Sequence, residues 1–159
     1  MSFITKEKSV ALYAALVSFG TYVFIFGFRK SFTVCTFEGM TFGPIAFKTA
    51  MVISQMLGYL MAKFYGIKFI SGLEKKNRYK IIFLLTGIAW TAWLLFAIVP
   101  APYSILFLFI NGFPLGMLWG VVFSYVEGRR STDFIGAALA VSFIFSAGWV
   151  KSVGAWLMQ

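Results

Sequence analysis

Residues 9–28 carry no charged side chain and are almost wholly apolar, and the cations Arg29 and Lys30 close the run. About twenty such residues suffice to cross the hydrocarbon core of a bilayer as a helix. Four more apolar runs follow, so the sequence predicts five spans at 9–34, 43–69, 80–100, 103–126 and 134–157. The expected fold class is all-α, a polytopic transmembrane helix bundle forming a single transmembrane domain over 1–159. Composition agrees. The chain has 159 residues, 60% hydrophobic and 12% charged, with 20 Phe, and a mean hydropathy of +0.87. At this size a water-soluble core cannot hide so much apolar surface, so the lipid bilayer is its solvent and first partner.

The net charge of +9 does not point to nucleic acid, because the cations sit between apolar spans and form no basic face. The chain has no His and one Cys, Cys35. That excludes internal disulfides, Cys/His zinc sites and His-dependent triads. There is no GxxxxGK[ST] loop, and no acidic pair lies inside a span. The sequence therefore predicts no enzyme, no cofactor and no metal. The first run is long and lacks a small-residue cleavage site, so it reads as a retained span and not a signal peptide.

Lysine and arginine favour the cytoplasmic side. Segment 68–80 holds Lys68, Lys75, Lys76, Arg78 and Lys80, and segment 127–133 holds Arg129 and Arg130. With Lys6 and Lys8 these predict a cytoplasmic N-terminus in a cell (inner) membrane. The Pro100-Ala101-Pro102 turn, the 35–45 loop and the C-terminus then lie outside. Arg29, Lys30, Lys48 and Lys151 are exceptions, on or near the outer half.

Helical periodicity suggests a reason. At 100° per residue, Ala11, Ala15, Ser18, Tyr22, Arg29, Thr33 and Thr36 fall within a sector of about 60°, which predicts one long helix with Arg29 inside its polar face. On span 2, Lys48, Gln55, Tyr59, Ala62 and Gly66 share a face, with Lys63 at its border. Two polar stripes imply a water- or ligand-filled space between helices. The bland alternative is that Arg29, Lys30, Lys48 and Lys63 snorkel to headgroups. Span 4 carries Gly112, Gly116, Gly120, Ser124 and Gly128 at four-residue spacing, which reads as a helix-packing face. Pro114 removes a backbone donor there. Asn111 either lines a pathway or bonds a neighbouring helix. The tryptophans read as core or interface anchors.

Three stretches in register carry a resemblance. Phe28-Arg29-Lys30-Ser31-Phe32 resembles an Arg-Lys-x-Phe element, Ala62-Lys63-Phe64-Tyr65-Gly66 a Ser-Lys-Phe-x-x-Gly stretch, and 111–119 an Asn-Gly-Phe-x-x-Gly-Met-x-Trp stretch. All belong to the organophosphate:phosphate antiporter branch of the major facilitator superfamily. Phe37-Glu38-Gly39 and Glu127-Gly128-Arg129-Arg130 also resemble an uncharacterised bacterial family of that superfamily. The departures are clear. After Gly66 the usual Asp and Arg are missing, Gly148-Trp149 lacks the proline of drug:proton antiporters, and Asn111 stands where an arginine is common.

The resemblance implies five spans of an incomplete N-terminal six-helix half, truncated before span 6, with the C-terminal half of the transporter as missing partner. It implies a secondary transporter or antiporter moving a small anionic solute, such as a phosphate ester or organic anion, by alternating access. Arg29 would bind the anion. Lys30, Lys63 and Lys48 would raise the local potential, and Tyr22, Tyr59, Gln55 and Asn111 would supply hydrogen bonds. The rival reading is a non-transporting integral membrane subunit for sensing or assembly. An intramembrane enzyme acting on lipid phosphates fits poorly, for want of His and paired acids.

Overall fold

The computed structural model describes residues 2–127 and 132–158, with side chains from residue 8 onward. Lys6, Arg129 and Arg130 of the charge argument lie outside the described side chains. Five helices dominate: α1 (Ser2–Lys30), α2 (Phe47–Ser71), α3 (Arg78–Ile98), α4 (Ile105–Phe123) and α5 (Thr132–Leu157). The described fold is all-α apart from a small hairpin of β1 (Thr41–Phe42) and β2 (Ile45–Ala46), paired antiparallel as Thr41↔Ala46 and Phe42↔Ile45. Gly43, at φ 58° in the first central position of its two-residue loop, meets the positive-φ demand of a tight hairpin turn.

Local chemistry sets the helix ends. Gly72 caps α2, its N–H bonding to Ile70 O. Val99 is extended at φ −85°, ψ 127°, as a residue preceding proline prefers, and α3 stops before it. Asp133 in the first turn of α5 complements the positive end of that helix.

Four segments are long and apolar enough to cross a membrane: Lys8–Thr33, Lys75–Ile98, Ile105–Phe123 and Thr132–Leu157. Four such helices mark a multi-pass membrane protein. The exposed apolar side chains fit this, since Phe83 is 75% and Ile144 80% exposed, which suits lipid and not water. α2 is absent from the four. Its 25 residues are long enough at about 1.5 Å each, but Lys48, Gln55, Lys63 and Lys68 make it more polar than the others.

The chain divides into two compact units. The first holds α1 and α5 with the residues from Val122 onward. Ring contacts run in step along both helices. Tyr22 meets Phe143 at 4.6 Å, Phe26 meets Phe143 at 6.1 Å, and Phe24 meets Trp149 edge-on at 6.3 Å. Lower down, Ala15 joins Val126 and Ile135 in a buried cluster. Rising numbers meet rising numbers, so α1 and α5 run parallel. On α5 the buried residues Ile135, Leu139, Ser142, Ser146 and Val150 form one stripe at helical spacing. Ser142 Oγ donates to Leu139 O at 2.6 Å and Ser146 Oγ to Ser142 O, so both buried hydroxyls are satisfied within their own helix.

The second unit spans Phe32–Val121 and contains α2, α3 and nearly all of α4. Its core is Phe32, Phe47, Met51 and Leu108, with Phe37, Val52, Trp93, Phe96 and Ile105 packed around them.

Candidate functional site

The cations of α1 come first. Arg29 and Lys30 occupy its last turn and are half-buried. The helix does not continue through the stripe to Thr36, as its periodicity predicts. It ends at Lys30, and Ser31–Thr33 form a 3-10 turn with Phe32 buried. Two causes are visible. Thr33, Val34, Cys35 and Thr36 are weak helix formers. In addition, Lys48 Nζ, from the first turn of α2, donates to Thr33 O at 2.8 Å and to Cys35 O at 3.0 Å. A continuing helix would need those carbonyls for its own ladder. Lys48 is therefore engaged in ordering the 31–36 turn, and Thr36 is exposed. Of the remaining stripe, Ala15, Ser18 and Tyr22 are buried.

On α2 the predicted polar face is largely a helix contact. Gln55 Nε2 donates to Asn111 Oδ1 at 2.9 Å, and Asn111 Nδ2 donates to Ala89 O at 3.0 Å. Both side chains are buried, Asn111 completely. This chain of amides joins α2, α4 and α3, and it takes Asn111 into helix-to-helix bonding. Ser54 Oγ adds a bond to Ile105 O at 2.9 Å. The glycine stripe of α4 lies on the same seam. A Cβ on Gly112 would strike Gln55 O, and one on Gly116 would lie 2.7 Å from Ala62 Cβ and 2.8 Å from Tyr59 O. One on Gly120 would meet the flexible tip of Ile70. From α2, a Cβ on Gly58 would strike Phe109 O. At Gly58, Gly112 and Gly116 only hydrogen lets two backbones meet so closely, the general means by which helices associate in lipid. Numbers again rise together, so α2 and α4 run parallel. Gly58, Ala62 and Gly66 repeat every four residues and match the α4 stripe. That spacing on α2 is visible in the sequence, where Ala62 and Gly66 also fall on the predicted polar face.

Lys63 is half-buried, with its Nζ 5.0 Å from the centre of the Tyr59 ring and 4.6 Å from that of Trp119. Two aromatic faces hold the ammonium, which partly offsets the cost of removing it from water. The part of Trp119 in this clamp has no signal in the sequence, because periodicity alone does not pair α2 with α4.

The predicted site residues thus fall into two groups. Arg29, Lys30 and Tyr22 belong to the α1–α5 unit, with Tyr22 buried against Phe143. Lys48, Gln55, Tyr59, Lys63 and Asn111 belong to the other unit. The chemistry on offer is cation and hydrogen-bond donor chemistry, suited to holding an anion.

The profile of DUF5690, described as a family of unknown function, matches residues 31–159. The chain belongs to that family. The match contains Lys48, Gln55, Tyr59, Lys63, Asn111 and Lys151, and it starts just after Arg29 and Lys30. No curated protein and no solved structure matches the chain.

Proposed function

We propose that this chain is the front part of a secondary membrane transporter that moves a small anionic solute, a phosphate ester or organic anion, by alternating access. In this reading it corresponds to most of the N-terminal half of a major facilitator, near the organophosphate:phosphate antiporter branch. α2 is then the fifth span, the N-terminus is cytoplasmic, and no catalytic step is involved.

One observation carries the reading. Arg29 and Lys30 are half-buried near the end of a 26-residue span that is otherwise uncharged beyond Lys8. Cations at such a depth are costly and mark binding sites or conduction paths. Helix direction lends support. Alternating spans require α1 parallel to α5 and α2 parallel to α4, and the ring and glycine contacts run that way. α2 also lies along α4 from Ser54 to Ile70, which suits a crossing helix.

A second reading, the non-transporting subunit, is favoured by the Gln55–Asn111 bond and the close glycine seam, since these polar and small residues serve helix packing. Reconstitution of the protein into proteoliposomes separates the two. Uptake of labelled phosphate esters, carboxylates and a neutral sugar would be compared with empty vesicles. Saturable uptake of an anion and none of the sugar is expected. Folded protein that moves no anion leaves the subunit reading standing.

A further inference from the structure

We propose that Arg29, Lys30 and Lys151 form one site for a phosphate group carrying two negative charges. The inference deepens the anion reading above and rests on it. It adds Lys151 of α5, which sets how many negative charges the site takes.

Parallel packing brings the three together. From the Tyr22–Phe143 contact, Arg29 lies seven residues on along α1 and Lys151 eight along α5, or about 10 and 12 Å up parallel axes. From the Phe24–Trp149 contact the steps are five and two residues, about 7 and 3 Å. Both anchors put the cations within about 5 Å of one level, well inside the reach of their long side chains. Lys30 lies in the field of both Arg29 and Lys151.

Charge elsewhere in the unit sharpens the case. Its acids are Glu7, Glu127 and Asp133, all near the N-terminal ends of the two helices. Arg29 is 22 residues from Glu7 and Lys151 18 from Asp133, about 33 and 27 Å along the helices. In the sequence of this unit no acid therefore lies near Arg29, Lys30 or Lys151 along the helices, while the opposite end mixes acids with cations such as Lys8. Arg29 and Lys30 also answer the negative end of α1, but the last turn of α5 holds no basic residue, and Lys151 lies before it. The helix end does not account for Lys151. Like charges repel more strongly as the dielectric falls, and a dianion between them turns that repulsion into attraction. Arg29 supplies a planar fork for two phosphate oxygens, while the lysines act as point charges on the remainder.

The phosphate could be a free solute or a lipid headgroup. The test uses the protein in nanodiscs of phosphatidylcholine, with labelled inorganic phosphate at pH 8 as probe, and repeats it with phosphatidylglycerol added. Lys151→Gln should weaken phosphate binding about tenfold, the scale of one lost charge-assisted bond. Acetate, with one charge, should be much less affected. Lys151→Arg should restore phosphate binding, which a purely structural lysine would not require. Displacement of phosphate by phosphatidylglycerol, lost in Lys151→Gln, would identify the occupant as a lipid phosphate at this same site. Phosphate binding that is equal in wild type and Lys151→Gln overturns the inference and leaves Arg29 as the anion ligand. No phosphate or lipid binding by the wild type overturns both the inference and the anion reading.

Discussion

Gln55 donates its side-chain amide to Asn111 at 2.9 Å inside the seam between α2 and α4, where both side chains are buried. Asn111 hands the bond on to the Ala89 carbonyl of α3. One amide thus ties three helices where lipid offers no competing donor.

Removing the central amide leaves its partners stranded. Asn111→Leu should destabilise the protein by about 1–3 kcal/mol, the cost of leaving a buried donor and acceptor unmet. In the double variant with Gln55→Leu, the coupling should be about 0.6–1.7 kcal/mol, the range found for bonds between membrane helices. Thermal melting in detergent measures both. A wild-type melt for Asn111→Leu would show that the pair adds nothing to stability.

Glycines test the same seam by shape. Gly116→Leu should lower the melting temperature and expression, since even its Cβ would fall 2.7 Å from Ala62 Cβ and 2.8 Å from the Tyr59 carbonyl. Gly87→Ala on α3 is the control. Nothing lies within 4 Å of its added carbon, so its melt should match or slightly exceed the wild type. Equal melting of the two variants would mean the seam is looser than its contacts imply.

The helical fold was legible because apolar runs such as 9–28 and 134–150 permit little else. What faces each helix was not. Gln55 and Asn111 look alike whether they line water or bond each other, and periodicity gives a face without naming its neighbour. The end of α1 differs from its periodicity for a similar reason. Its stripe continues to Thr36, but Lys48, thirteen residues beyond Cys35, takes the carbonyls a longer helix would use. The hairpin at 41–46 reads as loop in the sequence although Gly43-Pro44 is a turn signal, since two-residue strands leave no alternating pattern. Arg29 and Lys30 stand out in the sequence because they close an otherwise uncharged run.

The Lys48 tie has its own reporter in Cys35, the chain's sole cysteine. Lys48→Met removes two bonds to carbonyls, each charge-assisted and worth roughly 1.5–3 kcal/mol. The 31–36 turn should open more often, and Cys35 should react with a small maleimide roughly a hundred times faster. Unchanged reactivity would mean that the turn is held by Phe32 and its core neighbours alone.

Orientation is checked from outside the cell. In a Cys35→Ser background, a cysteine at position 101 should react with an impermeant reagent, and one at position 76 only after the membrane is opened. The expectation follows from the basic 68–80 loop and the uncharged Pro-Ala-Pro turn. The reverse pattern would invert the topology and put Arg29 on the cytoplasmic side.

The most direct measurement concerns Arg29 itself. Uptake of phosphate esters and carboxylates into proteoliposomes would be compared for wild type, Arg29→Lys and Arg29→Ala, each shown to fold by its melt. A guanidinium bond to an anion contributes about 1.5–3 kcal/mol. Arg29→Ala should therefore raise the half-saturating anion concentration about ten- to a hundredfold. Arg29→Lys should recover part of that loss, because a point charge lacks the planar fork. Equal uptake by all three folded proteins would contradict the account and leave Arg29 as a headgroup anchor.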